Sequence, residues 1–141
     1  MIYPYVYVIV NCYTGSFYIG SRYANVREGF TPEEDLWKRY KSSSDVLKSE
    51  IAIYGEDAFI YEVIFTHDDF ASGENDFTVY WHEQDLIKEH RKNPLCLNGH
   101  YQDRETSKIG YCVAGKPKSL EHREKIGIPQ KGVPKKPESI A

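Results

Sequence analysis

Tyr5-Val6-Tyr7 and Tyr18-Ile19-Gly20 form the two sides of one β-hairpin, and the rest of the chain is arranged around it. Strand alternation puts Tyr3, Tyr5, Tyr7 and Ile9 on one face and Val6, Val8 and Val10 on the other. Asn11-Cys12-Tyr13-Thr14-Gly15-Ser16 supplies turn residues, with Gly15 free to take a positive φ. Phe17 to Ser21 then returns antiparallel. Both faces of the first strand are apolar or aromatic, so the hairpin is expected to be central and covered on both sides. Tyr7 and Tyr18 thereby reach the same small sheet. Strand tyrosines commonly serve packing alone, because the ring buries well and the hydroxyl needs one partner.

The 141 residues suit one domain plus a tail. No run approaches the ~20 apolar residues of a membrane span, and Met1-Ile2-Tyr3-Pro4 lacks the pattern of a secretory signal. Cys12, Cys96 and Cys112 are odd in number and form no Cys-x-x-Cys pair. That points to reduced thiols in a cytoplasmic setting, not to a disulfide frame or a zinc knuckle. No Gly-rich phosphate loop or Gly-x-Ser-x-Gly elbow occurs, and no two histidines have zinc-ligand spacing. The net charge of −3 is unevenly spread. Residues 1–103 hold 9 Lys+Arg against 17 Asp+Glu, whereas 104–141 hold 9 against 4. A basic tail on an acidic body offers one surface for phosphate contacts.

Ser21 to Phe30 shows no period and reads as a loop. Thr31-Pro32-Glu33-Glu34 opens a helix, with Thr31 as N-cap, Pro32 at the first helical position and Glu34 completing a capping box. This helix is expected to run through Leu36, Trp37, Arg39 and Tyr40 and to break at Ser42-Ser43-Ser44. Asp45 to Tyr54 reads as a second helix, capped by Gly55. Phe59 to Phe65 is a third strand. Gly73 to Arg91 reads as the longest helix, ended by Asn93-Pro94, and Leu95-Cys96-Leu97 as a short extended piece. The order β-β-α-α-β-α predicts an α+β domain over residues 1–103, a small three-stranded antiparallel sheet flanked by helices. An extended basic tail over 104–141 is expected to be dispensable for the fold.

Glu83 stands out on the long helix. Its neighbours three and four positions away are Val79, Tyr80, Leu86 and Ile87, so a carboxylate lies in an otherwise apolar stripe. Such a group is paired, protonated or bound to a cation. One reading is an ion pair with Arg22 or Arg39. The other is a divalent-metal ligand facing the tyrosine hairpin, since a hard carboxylate suits Mg²⁺.

The two tyrosine triplets, with Glu83 downstream, resemble the GIY-YIG nuclease family, whose signature has a Tyr closing the first triplet and a Tyr opening the second. Tyr5 stands where the family's leading Gly would be. The resemblance implies that Tyr7 and Tyr18 orient or deprotonate water and that Glu83 holds the metal, Mg²⁺ with Mn²⁺ as an alternative. It gives Asn98, in Leu97-Asn98-Gly99, a downstream polar role, the other reading being a simple Asn-Gly turn. The family also places an arginine after Tyr-Ile-Gly to hold the scissile phosphate. Arg22 is preferred, then Arg39 in Trp37-Lys38-Arg39-Tyr40, with Tyr40 in the family's His-or-Tyr place and Arg27 solvated. The implied activity is a Mg²⁺-dependent endonuclease hydrolysing phosphodiester bonds of double-stranded DNA, homing-type or phage-encoded. It implies a monomer or weak dimer in the cytoplasm, the host's if phage-encoded, with no organic cofactor and no membrane. The alternative is a catalytically inactive relative, in which Glu83 is ion-paired and the tail alone contacts nucleic acid.

In the tail, Gly115-Lys116-Pro117-Lys118 recurs as Gly132-Val133-Pro134-Lys135. A Gly-x-Pro-Lys entry before a short helix signal resembles the modular DNA-binding repeats that accompany such nucleases. That resemblance makes Lys116, Lys118, Ser119, Arg123, Lys125, Lys131, Lys135 and Lys136 DNA contacts, and makes the second copy a truncated one. The competing reading is a disordered solubilising segment.

Overall fold

β1 (Tyr5–Asn11) is the middle strand of the main sheet, and its sequence explains why. It carries no charged residue, so both of its faces can be buried. β2 (Phe17–Arg22) pairs antiparallel on one side and β3 (Phe59–Thr66) antiparallel on the other, giving the order β2-β1-β3. Tyr7 lies opposite Gly20, and Ile9 opposite Tyr18. The computed structural model describes residues 1–114. The hairpin turn closes as expected, with Gly15 at φ 78°. The buried Asn11 side chain accepts from Tyr13 N at 2.9 Å and donates to Glu50 at 3.0 Å, tying the turn to a helix.

The described residues form two hydrophobic clusters, one on each face of β1. Tyr5, Tyr7 and Ile9 pack with Leu36, Leu47, Ala58 and Phe59. Val6 and Ile19 pack with Val79, Ile87 and Cys112. The first face is covered by α2 (Pro32–Asp35) and α3 (Asp45–Tyr54), the second by α4 (Thr78–Glu89). Both halves of the Thr31–Glu34 capping box form, and Ser44 caps α3. No described helix is long and apolar enough to cross a membrane.

Three local expectations are corrected. The stretch read as a loop contains α1 (Ala24–Glu28), which ends on Gly29 in the left-handed region at φ 86°. It forms because the buried Asn25 side chain donates to Tyr3 O and Phe30 O, a tertiary tie with no periodic signal. The helix opened by Thr31 stops at Asp35, not Tyr40. Leu36 turns extended, Trp37 takes φ 68°, and the Arg39 and Tyr40 amides both donate to Asp35 O. Burial of Leu36 and Asp35 overrides helix propensity there. The long helix starts at Thr78 and not at Gly73, because side chains of Ser72 and Asn75 bond locally and compete with helical pairing. The buried Asp69 carboxylate instead accepts from Val79 N at 3.0 Å.

β4 (His100–Gln102) and β5 (Ile109–Tyr111) form a second hairpin, and residue 103 lies in its turn. Tyr101 lies over Gly110 so closely that a Cβ there would strike its ring. Cys112, 1% exposed, belongs to the core. β5 and Cys112 therefore pack against the body of the domain, with little sequence signal because Cys112 is a small apolar residue in a polar stretch. Cys12 is exposed and free, and Cys96 and Cys112 are buried and free.

Candidate functional site

The site is built around β2, whose alternation sends its side chains to two different surroundings. Tyr18, Gly20 and Arg22 face the α2–α3 layer, and Ile19 and Ser21 face α4. Gly20 has a steric reason to be glycine, since a Cβ there would run into the Tyr7 hydroxyl. Its absence lets the Tyr7 ring lie across the strand, 6.3 Å from the Tyr18 ring and 5.8 Å from the Tyr40 ring. The Tyr7 and Tyr40 hydroxyls are 3.3 Å apart. The Arg22 guanidinium lies 4.0 Å above the Tyr40 ring. Four of the expected side chains thus form one contiguous group.

Burial, with the neighbouring Tyr40 phenol, raises the Tyr7 pKa far above that of a free phenol. Tyr18 is pushed up to about 12 by burial and by the negative charge of Glu83. Both are neutral hydrogen-bond donors at pH 7. The Ser42 hydroxyl opposes the shift at both, and Ser42 sits at φ 116° in the turn before α3.

Glu83 comes from α4, on the other side of the β2 edge. Its Oε1 accepts from Ser21 Oγ at 2.7 Å and from Gln84 Nε2 at 3.2 Å. Among the described residues it has no Lys or Arg partner, so the expected pair with Arg22 or Arg39 does not form. Those arginines are committed to Asp35 and Glu28 instead. Burial raises the Glu83 pKa, and the Ser21 hydrogen bond only partly offsets it. Glu83 and Tyr18 line one cleft of about 830 Å³, together with Ser43, Tyr80, Asn98 and His100.

Asn98 has a definite task. Its Oδ1 accepts from Ile19 N at 3.0 Å and its Nδ2 donates to Ile19 O at 2.8 Å. Both ends of the amide are spent on the backbone of the Tyr-Ile-Gly triplet, so Asn98 brackets β2 from the cleft floor. Arg39, 37% exposed, lies at the outer end of the charge network. Arg27 lines a separate hollow of about 570 Å³ beside Tyr23 and Phe70. Lys116, Lys118, Ser119, Arg123, Lys125, Lys131, Lys135 and Lys136 lie outside the described residues.

Sequence reasoning missed Asp35. It is fully buried, accepts from Tyr5 OH at 2.7 Å and Arg22 Nε at 2.8 Å, and also contacts Arg39 at 3.1 Å. Burial alone would raise its pKa, but the Arg22 and Tyr5 hydrogen bonds outweigh that and leave it lowered. Its only sequence signal was Arg39 four residues on. Tyr5, in the place of the family's glycine, earns its position through that Asp35 bond. Ser21, read as the end of the returning strand, and Ser42, read as part of a helix break, were likewise given no part in the site.

The residues fit a hard divalent ion. Mg²⁺ keeps most of its waters and takes one or two protein carboxylates beside a substrate phosphate. A half-buried carboxylate with neutral donors and no cationic partner among the described residues, facing an open cleft, meets that requirement. Among the described residues no group of three or more His, Cys, Asp and Glu side chains gathers into a closed metal cage.

Comparison with known proteins agrees. No curated protein and no solved structure matches the chain. A family model described as "Putative endonuclease segE, GIY-YIG domain" matches residues 1–99, which contain both tyrosine triplets, Glu83 and Asn98. Nucleases of this kind use divalent metal ions. The chain belongs to the GIY-YIG endonuclease family.

Proposed function

We propose that this protein is a Mg²⁺-dependent endonuclease that hydrolyses phosphodiester bonds of double-stranded DNA, with Mn²⁺ able to replace Mg²⁺. One observation carries the reading. A half-buried carboxylate without a cationic partner among the described residues lines one cleft with Tyr18, whose ring packs on Tyr7, and Tyr7 in turn packs on Tyr40 beneath the Arg22 guanidinium. Burying an unpaired carboxylate costs stability, so its retention favours a functional role.

Tyr7 and Tyr18 orient the attacking water and the phosphate as protonated donors, with Tyr40 holding the Tyr7 hydroxyl in place. Their raised pKa values argue against either phenol acting alone as a base at neutral pH. Arg22, fixed by Asp35 below and Tyr40 beneath its plane, donates to the phosphoryl oxygens as negative charge develops. Glu83 would hold the metal, which when bound polarises the phosphate and eases departure of the leaving oxygen. Asn98 keeps the Tyr18-bearing strand in register. The tail residues Lys116 to Lys136 supply further backbone contacts, which an acidic body lacks. The chain works as a monomer or weak dimer in the cytoplasm, and its homing or phage origin follows from the same reading.

The inactive binding scaffold retains one supporting observation: Arg22 is already neutralised by Asp35 and Glu28. Incubating supercoiled plasmid, and the DNA of the natural host, with the full chain in Mg²⁺ or EDTA separates the readings. Nicked or linear product in Mg²⁺ alone is expected. DNA binding with no product on either DNA would leave the scaffold.

A further inference from the structure

The charge network around Arg22 contains an acid whose position is not explained by folding. Asp35 is the structural member, fully buried and bonded to Tyr5. Glu28 is different. It is 37% exposed, at the end of α1, and a single oxygen, Oε1, sits between two guanidinium groups. Arg22 Nη2 is 3.2 Å away and Arg39 Nη1 is 2.9 Å away. Guanidinium donors bind carboxylate and phosphate oxygens alike, so a phosphate oxygen can take the place of Oε1.

Both guanidinium groups are also held without Glu28. Arg22 keeps its Nε bond to Asp35 and rests on Tyr40, and Arg39 keeps its Asp35 contact and lies 3.7 Å over the Phe30 ring. Departure of Glu28 therefore leaves two positioned donors and exposes one net positive charge. The Arg39 hydrogen bond lowers the Glu28 pKa, so it remains an anion in neutral solution. A solvent-facing ion pair of this kind contributes little to stability, which makes the exchange cheap.

We propose that Arg22 and Arg39 form a two-armed site for a DNA backbone phosphate, and that Glu28 occupies this site in the free protein as an internal phosphate substitute. The proposal rests on the DNA-cleaving reading for its ligand, but not on cleavage. It assigns Arg39 a binding role beside Arg22, and makes Glu28 a brake on DNA affinity that an incoming strand displaces.

The test is binding of the full chain to a fluorescent 30-base-pair duplex in EDTA, over a range of salt concentrations. Glu28→Gln is expected to tighten binding about 3- to 10-fold, with the log–log salt dependence steeper by about 0.9, one added phosphate contact. Glu28→Ala, which cannot reach either guanidinium, repeats the test with a different side chain, and circular dichroism confirms folding of each. Adding Arg39→Gln to Glu28→Gln should return affinity and slope to the wild-type values. Glu62→Gln, on the far edge strand, removes the same charge and should change neither. Unchanged binding in both Glu28 variants, or an equal gain from Glu62→Gln, overturns the proposal. A chain that never cuts in Mg²⁺ yet shows the Glu28 effect loses the nuclease reading and keeps the clamp.

Discussion

Asn98 and Tyr7 were both expected to be catalytic residues, and their surroundings separate them. Asn98 spends both amide atoms on Ile19. Asn98→Ala would leave two buried backbone groups unpaired, and should cost about 2–3 kcal/mol in urea unfolding. Tyr7 is packed on Gly20, and its hydroxyl meets Tyr40 at a long 3.3 Å and faces the Ser42 hydroxyl. Tyr7→Phe should therefore shift stability by less than about 1 kcal/mol. Single-turnover cleavage by that variant should nevertheless slow about 100-fold, the scale of a lost positioned proton donor. A Tyr7→Phe enzyme cutting at the wild-type rate would remove the hydroxyl from the mechanism. The tyrosines were legible because strand alternation fixes which side chains share a face. Asn98's true task was not, since it depends on a strand pairing across 79 residues of sequence.

At the level of elements, the segment from β2 to the Tyr40 turn is organised by one buried carboxylate. Asp35 joins Tyr5 on β1, Arg22 on β2 and Arg39 beyond α2. Its folded pKa lies below its unfolded value, so its contribution is present above pH ~4, the ordinary Asp range. That contribution is lost as pH falls through the lowered folded pKa. Asp35→Asn should destabilise the fold by about 3 kcal/mol at pH 7, because breaking a buried pair strands its partners. The difference between variant and wild type should shrink as pH drops below ~4, which thermal unfolding across a pH series checks. Equal losses at pH 7 and below pH 4 would contradict an ionised Asp35. The capping box at Thr31 and the Gly55 stop were readable because caps are local chemistry. The early end of α2 was not, because it is decided by burial of Leu36 and Asp35 against a sheet formed elsewhere in the chain.

Over the whole molecule, the α+β architecture, the central β1 and its two covered faces follow from the hydrophobic pattern alone. The extent of the packed unit does not. β4 and β5 are three residues each, too short for a period to show. Their role is nonetheless structural: Gln102 N donates to Gln84 Oε1 at 2.6 Å, and Cys112 sits in the core. Truncation after residue 114 should leave thermal unfolding cooperative and weaken duplex binding through loss of the tail. Truncation after residue 103 should cost stability as well, because Cys112 leaves the core and one strand of the hairpin is removed. Equal melting of the two truncated forms would contradict the packing assigned to β5.

In the proposed mechanism Glu83 is kept in a costly environment because the reaction needs its charge. Glu83→Gln tests it most directly, since the amide preserves shape and can still bond Ser21 while losing the anion. Cleavage of supercoiled plasmid in Mg²⁺ and the melting temperature should be measured on the same two preparations. Cleavage is expected to fall by at least about 100-fold, with melting unchanged or raised by the equivalent of about 1 kcal/mol at pH 7. A variant that still cuts, or one that melts well below wild type, would show that the carboxylate serves the fold and not the chemistry.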